Sequence, residues 1–257
     1  MTEIIKAEHA TQAGHFYDRK TGEPRYTVIG KNGKERNSTI ADCKKNDWVP
    51  SVTVIIACQD RPALNQWKME QMLLAAMTTT RQEGESEADH ISFIKESAKE
   101  QGIKAAQRGT EIHAFIQKGF QGEKLNAEEY KYFISAKNAL EDACNADVKW
   151  RVEESFATED YGGKVDLQSD EFVCDIKTTD KDLSTIKTWD DHAQQLAAYR
   201  FGSAKTAIET TRGSGILYIH KITAEAKLIW IPDDELDRGY SMFLALLLYY
   251  KAKNRMV

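Results

Sequence analysis

The sequence predicts an α/β fold in which helices flank a mixed central β-sheet, with an N-terminal region of β-hairpins and helices ahead of it. Three observations lead there. Strand-like runs recur through the second half, at about 148–158, twice within 165–177, and at 216–220 and 228–231. Helical stretches with a longer apolar period alternate with them. At 257 residues the chain can bury a full core, as one large domain or as a core plus an accessory part.

Taken in order, residues 15–55 alternate short extended runs with the turn signals Thr21-Gly22 and Asn32-Gly33, which suit hairpins. Pro62 opens a helix through Met77, since proline fits the first helical turn. Trp67, Leu74 and Met77 recur at near-helical spacing and read as a core stripe. Residues 81–90 are acidic and turn-rich, a solvated loop that sets the expected boundary between an accessory region, 1–90, and a core, 91–257.

A helix is expected over 91–120, bent or broken near Gly102 and Gly109, with Ala105, Gly109, Ile112 and Ile116 as its apolar stripe. His113 sits at the edge of that stripe, above Ala106 and Gly109. By itself, a histidine there is more often a core residue than a ligand. A second helix covers 126–143 and a strand 148–158. In that strand Trp150, Val152, Glu154 and Phe156 share one parity, so Glu154 is expected among inward-facing apolar side chains, where an unpaired charge is costly. Glu153, pointing the other way, is the alternative. After a polar loop comes a helix over 190–201, whose His192, Gln195 and Tyr199 share a face. Two strands and an apolar closing helix over 234–252 complete the core.

The most informative segment is Asp166 to Lys177, two strand-like runs around a polar turn. With Asp170 and Glu171 in the turn, Asp166 lies opposite Asp175, at a Cβ separation of about 4.5–5.5 Å. Val165, Leu167, Phe172, Cys174 and Ile176 point to the other face. Lys177 shares the face of Asp175, one pleat on, and that face is expected to be exposed. Facing carboxylates repel unless a cation sits between them. Two carboxylates and a lysine on one face meet the needs of metal-assisted phosphodiester hydrolysis, while a solvated hairpin is the plainer reading of the same residues.

The net charge of −5 runs against non-specific nucleic-acid binding, which rests on neutralised phosphates, although a local basic path suffices for a nuclease. Cys43, Cys58, Cys144 and Cys174 are far apart, which disfavours a zinc knuckle. The first residues lack the pattern of a signal peptide, and the apolar stretch 242–250 is too short to span a bilayer. A soluble, cytoplasmic protein with no membrane partner is expected.

Five pieces occur in a fixed order: Gly109-Thr-Glu-Ile-His113, Glu154, Gly162-Gly-Lys-Val-Asp166, Asp175-Ile-Lys177-Thr and Gln195-Leu-Ala-Ala-Tyr199. In this order the chain resembles the PD-(D/E)xK nucleases, in particular their RecB-like exonuclease branch. Pro50-Ser-Val-Thr and Lys68 after Trp67 are similar to phage exonucleases and the mitochondrial genome-maintenance exonuclease. The resemblance implies a restriction-endonuclease-like core. It implies that Asp166, Asp175 and the Ile176 carbonyl hold Mg²⁺, with His113 as a further ligand and Mn²⁺ as a substitute. Lys177 would orient or deprotonate the attacking water, and Glu154 would anchor a metal-bound water or a second ion. Gln195 and Tyr199 would contact substrate. Some RecB-like nucleases carry an iron–sulfur cluster on cysteines after the core, but none follows Cys174 here, so no cluster is expected. The implied function is a DNA exonuclease acting on single-stranded ends, phage-encoded and working in the host cytoplasm. A structure-specific or flap endonuclease, or a DNA-binding module without catalysis, are the alternatives. Residues 1–90 would then roof the site and demand a free end, with Arg61, Lys68 and Arg81 toward phosphates.

Overall fold

The computed structural model describes residues 15–144 and 148–256, apart from the side chains of Gln101 and Ala105. The chain divides into two compact units, Met1–Gln59 with Phe115–Val257, and Asp60–Ala114.

The larger unit begins with β1 (Phe16–Asp18), β2 (Thr27–Ile29), β3 (Glu35–Asn37), α1 (Ile40–Lys45), β4 (Trp48–Pro50) and α2 (Val52–Ile56). β2 and β3 form the expected hairpin around Gly33, whose φ of +72° is the left-handed conformation such turns require. β1 pairs with β4 instead of with a sequence neighbour. Two capped helices were not expected from the alternating pattern. Thr39 and Asp42 form a capping box at the start of α1, and the Ser51 hydroxyl accepts the Val54 N–H at the start of α2.

The smaller unit holds α3 (Pro62–Thr78) and most of α4 (Glu87–Phe120). α4 is one helix, with no break at Gly102 or Gly109. The core-stripe reading of α3 does not hold: Trp67, Leu74 and Met77 are 38%, 54% and 83% exposed. Met69, Met72 and Leu73 are exposed beside them, so apolar residues ring this helix and their spacing marks no single face.

α5 (Ala127–Cys144) leads into the sheet strands β5 (Arg151–Ala157), β6 (Gly162–Gln168) and β7 (Phe172–Thr179). α6 (Asp190–Gly202) then crosses over to β8 (Gly213–His220), followed by β9 (Ala226–Trp230) and α7 (Asp233–Asn254). The strand order is β5-β6-β7-β8-β9. Only β7–β8 is parallel, as the helical crossover between them requires. The expected α/β class, with a mixed sheet flanked by helices, is what the chain forms.

One core joins Val173, Ile216 and Tyr218 of the sheet to Leu196 and Ala197 of α6, to Phe243 and Leu247 of α7, and to Val52, Ile55 and Ile56 of α2. A parallel bridge from Ser51 to Gly162 ties the N-terminal part to β6. Residues 15–59 therefore belong with the sheet, and the expected boundary at residue 90 falls inside the smaller unit. No helix among the described residues is long and apolar enough to cross a membrane.

Candidate active site

The hairpin places the first residues. Ser169 N–H donates to the Phe172 carbonyl, with Asp170 and Glu171 in the turn, and Leu167 faces Cys174. This is the register that sets Asp166 opposite Asp175. The β6–β7 ladder consists of the Leu167–Cys174 and Gln168–Val173 pairs alone. At the next position the Asp166 carboxylate, in place of a backbone carbonyl, accepts the Ile176 N–H at 2.7 Å. Asp166 is thus wedged where the strands part, and its orientation is fixed by the backbone of β7.

Asp175 is not on an exposed face as expected. It is 2% exposed, beneath α6. Strand alternation had told which side chains share its face, but not which element covers that face. A buried carboxylate needs partners. Lys177 Nζ lies 2.6 Å from Asp175 Oδ2, and Gln195 Nε2 donates to Asp175 Oδ1 at 2.8 Å. Gln195 Oε1 accepts from Lys177 Nζ at 3.1 Å, and its amide donates to the Tyr199 hydroxyl at 3.0 Å. The helix spacing that put Gln195 and Tyr199 on one face thus produces a clamp on the Asp175–Lys177 pair. Tyr199 is buried and reaches that pair through Gln195. Space for its ring comes from Gly163, where a Cβ would stand 2.8 Å from Tyr199 Cε1 and 2.9 Å from Phe156 Cε1. That close approach gives the Gly162-Gly163 pair before Asp166 a physical purpose.

The charges are strongly coupled. Burial pushes the Asp166 carboxyl well above its ordinary pKa, and the Asp175 and Glu153 charges push the same way. For Lys177, burial disfavours the ammonium, but the charges of Asp175, Asp166 and Asp191 outweigh it and the pKa is raised. Lys177 is therefore a firmly protonated cation in the metal-free chain. Tyr218, level with Lys177 on β8, has its phenol pushed up to about 12 by burial and by the Asp175 and Asp191 carboxylates. Its place in this cluster went unread because it sits within an apolar run.

The structure places the two glutamates differently from what strand parity predicts. Glu153 has φ +55°, and the β5–β6 ladder runs from Arg151 to Ala157 but skips the Glu153–Asp166 position. This kink breaks strand alternation, so Arg151 and Glu154, three residues apart, meet at 3.0 Å. Glu154 also accepts from Gln168 Nε2 at 2.6 Å, so its carboxylate is engaged within β5 and β6. Glu153 is the glutamate whose charge acts on Asp166, and it pairs with Lys164. His113 lies on α4, in the smaller unit. Arg81 in that unit donates to the Glu85 carbonyl at 2.7 and 3.0 Å, a local role.

Among the described residues, no three His, Cys, Asp or Glu side chains form a group that could hold a metal ion. The sheet unit does offer two carboxylates. One of them carries a buried oxygen, Asp175 Oδ2, whose neighbour is the Lys177 ammonium 2.6 Å away. Magnesium is commonly held by only one or two protein carboxylates, with water and substrate phosphate completing its shell, and this donor set fits that mode.

No protein-family model matches the chain, and no curated protein matches it. Among solved structures, the crystal structure of SSO0001 aligns at 13% identity and a TM-score of 0.30, over 71% of this chain and 86% of that one. A likeness this loose carries no argument.

Proposed function

We propose that the chain is a metal-dependent deoxyribonuclease of the PD-(D/E)xK type, built on a restriction-endonuclease-like core and closest in kind to RecB-like exonucleases. The observation that carries the reading is the constellation of Asp166, Asp175 and Lys177, clamped by Gln195 at the point where β6 and β7 part. The order of the motifs that contain these residues supports it as well.

Asp166, Asp175 and the Ile176 carbonyl would hold Mg²⁺. When bound, such an ion polarises a phosphate and lowers the pKa of a coordinated water. The chain's own part follows from the geometry. Lys177, held by Asp175 and Gln195, presents a fixed positive charge toward an attacking water and toward the charge that develops on phosphate oxygens. Gln195 fixes that lysine, and Tyr199 fixes Gln195. The Ile176 N–H holds the Asp166 carboxylate in one orientation. Glu153, whose charge acts on Asp166, replaces Glu154 as the glutamate proposed to steady a water. The resemblance also assigns His113 as a ligand. That assignment is tested by Mn²⁺ titration of wild type and His113→Ala, where unchanged affinity removes His113 from the set.

The test of the function is incubation with labelled single-stranded linear and circular DNA, in Mg²⁺ or EDTA. Metal-dependent shortening of linear DNA alone supports the exonuclease. Cleaved circles make it an endonuclease on the same core, and intact but gel-shifted DNA makes it a binding module.

A further inference from the structure

Beside the carboxylate pair lies a cleft of about 330 Å³, lined by Lys177, Lys181, Lys187, Trp189, His192 and Tyr218, together with threonines and one isoleucine. In a chain of net charge −5, the described residues lining this cleft include three lysines and no carboxylate. Lys181 and Lys187 are exposed and make no ion pair among the described residues, so their charge is available to a ligand. Trp189 is 60% exposed at the same cleft. Its indole offers a flat face on which a base can stack, beside lysines that can meet phosphates.

The walls are held in place. His192 Nδ1 accepts the Trp189 backbone N–H at 3.3 Å and lies 3.0 Å from the Tyr218 hydroxyl. The same hydroxyl donates to the Lys187 carbonyl at 3.3 Å. The backbone that carries Lys187 and Trp189 is therefore tied to β8 and to the start of α6. Lys177 belongs both to this cleft and to the Asp175 pair, so the two are continuous.

A single-stranded nucleic acid offers what this lining asks for, a flat base flanked by phosphates. Stacking on an aromatic side chain with lysines along the backbone is the general physics of binding single strands without sequence preference. The volume is at the small end of ligand clefts, which run from about 300 to 1,000 Å³. We infer that this cleft seats one nucleotide of a single-stranded nucleic acid, its base on Trp189 and its flanking phosphates toward Lys181 and Lys187. The neighbouring phosphate is thereby led to Lys177. The inference rests on the proposed hydrolytic reading for its direction, but its test does not.

The measurement is fluorescence titration with a thymidine decamer in EDTA, with thymidine monophosphate and inorganic phosphate as separate probes. The decamer should quench wild type, and Trp189→Phe should lose that component of the quench. Trp189→Ala should bind on the order of tenfold more weakly, the scale of one lost base stack. Lys181→Ala and Lys187→Ala should each weaken binding and reduce the slope of log affinity against log salt by about 0.7. These residues are exposed, so thermal melts should be unchanged. With Mg²⁺, the variants should raise KM more than they lower kcat. Wild-type affinity and salt slope in all three alanine variants would overturn the inference. So would monophosphate or phosphate binding as tightly as the decamer, which would make the cleft a small-anion site. Cleavage with an unaltered KM in the variants removes the cleft and leaves the nuclease reading standing. Decamer binding that depends on Trp189, without any metal-dependent cleavage, does the reverse.

Discussion

Gln195 is the residue whose removal most directly tests the clamp. Its amide donates to Asp175 Oδ1 at 2.8 Å and to the Tyr199 hydroxyl at 3.0 Å, and its oxygen accepts from Lys177 at 3.1 Å. Gln195→Ala removes all three. A hydrogen bond to a charged group contributes about 1.5–3 kcal/mol net. The Asp175 bond belongs near the top of that range because the carboxylate is 2% exposed. The Lys177 bond belongs lower, because that side chain is one-third exposed. With about 3 kcal/mol for the Asp175 bond and about 1 kcal/mol for the Lys177 bond, the sum predicted for Gln195→Ala is a loss of about 4 kcal/mol. Urea unfolding in EDTA, followed by circular dichroism, measures it. Repeating the substitution in an Asp175→Asn background isolates the bond to Asp175, which should account for about 2–3 kcal/mol of coupling. A Gln195→Ala change below about 0.5 kcal/mol, the ordinary range of inconsequential surface substitutions, would refute the clamp. Gln195 would then be a helix residue that lies near the pair without holding it.

Gly163→Ala should cost about 1–3 kcal/mol by overpacking, because the new Cβ meets the Tyr199 and Phe156 rings; a wild-type urea midpoint would show that the rings can yield. Asp166→Asn should abolish cleavage yet stabilise the metal-free protein at neutral pH. The folded pKa is raised, so ionised Asp166 costs stability above its unfolded pKa, and that cost disappears as pH falls below it. The variant's advantage in urea should therefore shrink in acid, and an advantage that grows in acid would reverse the assignment. Glu153→Gln should lower the cleavage rate more than Glu154→Gln, whose half-exposed ion pair with Arg151 contributes under about 1 kcal/mol. Equal rates in both would remove Glu153 from the site.

The hairpin from Asp166 to Lys177 was legible because a polar turn and period-two alternation are local signals, and together they fix register. The face of α6 that carries Gln195 and Tyr199 was legible for the same reason at helical period. What could not be read were the consequences of contact at a distance. Asp175 looked exposed because nothing in its own strand reveals that Gln195 descends on it from α6. Glu154 looked inward because parity counting assumes an unbroken strand, and the +55° φ at Glu153 breaks it. The short helices α1 and α2 announced themselves only through the caps Thr39 and Ser51, weak signals beside alternating neighbours. Residues 15–59 looked like a separate region because burial of Val52, Ile55 and Ile56 against α6 and α7 is a tertiary fact. The lysine-lined cleft lay in a loop whose polarity was all the sequence offered.

The central claim is that Asp166, Asp175 and Lys177 form a metal-dependent phosphodiesterase site. The most direct test is a time course on end-labelled single-stranded DNA, comparing wild type with Asp175→Asn in Mg²⁺ and in EDTA. Both proteins should first be shown to be folded. The account predicts cleavage by wild type in Mg²⁺, none in EDTA, and none by Asp175→Asn in either. Undiminished Mg²⁺-dependent cleavage by Asp175→Asn, or cleavage by wild type in EDTA, would contradict it.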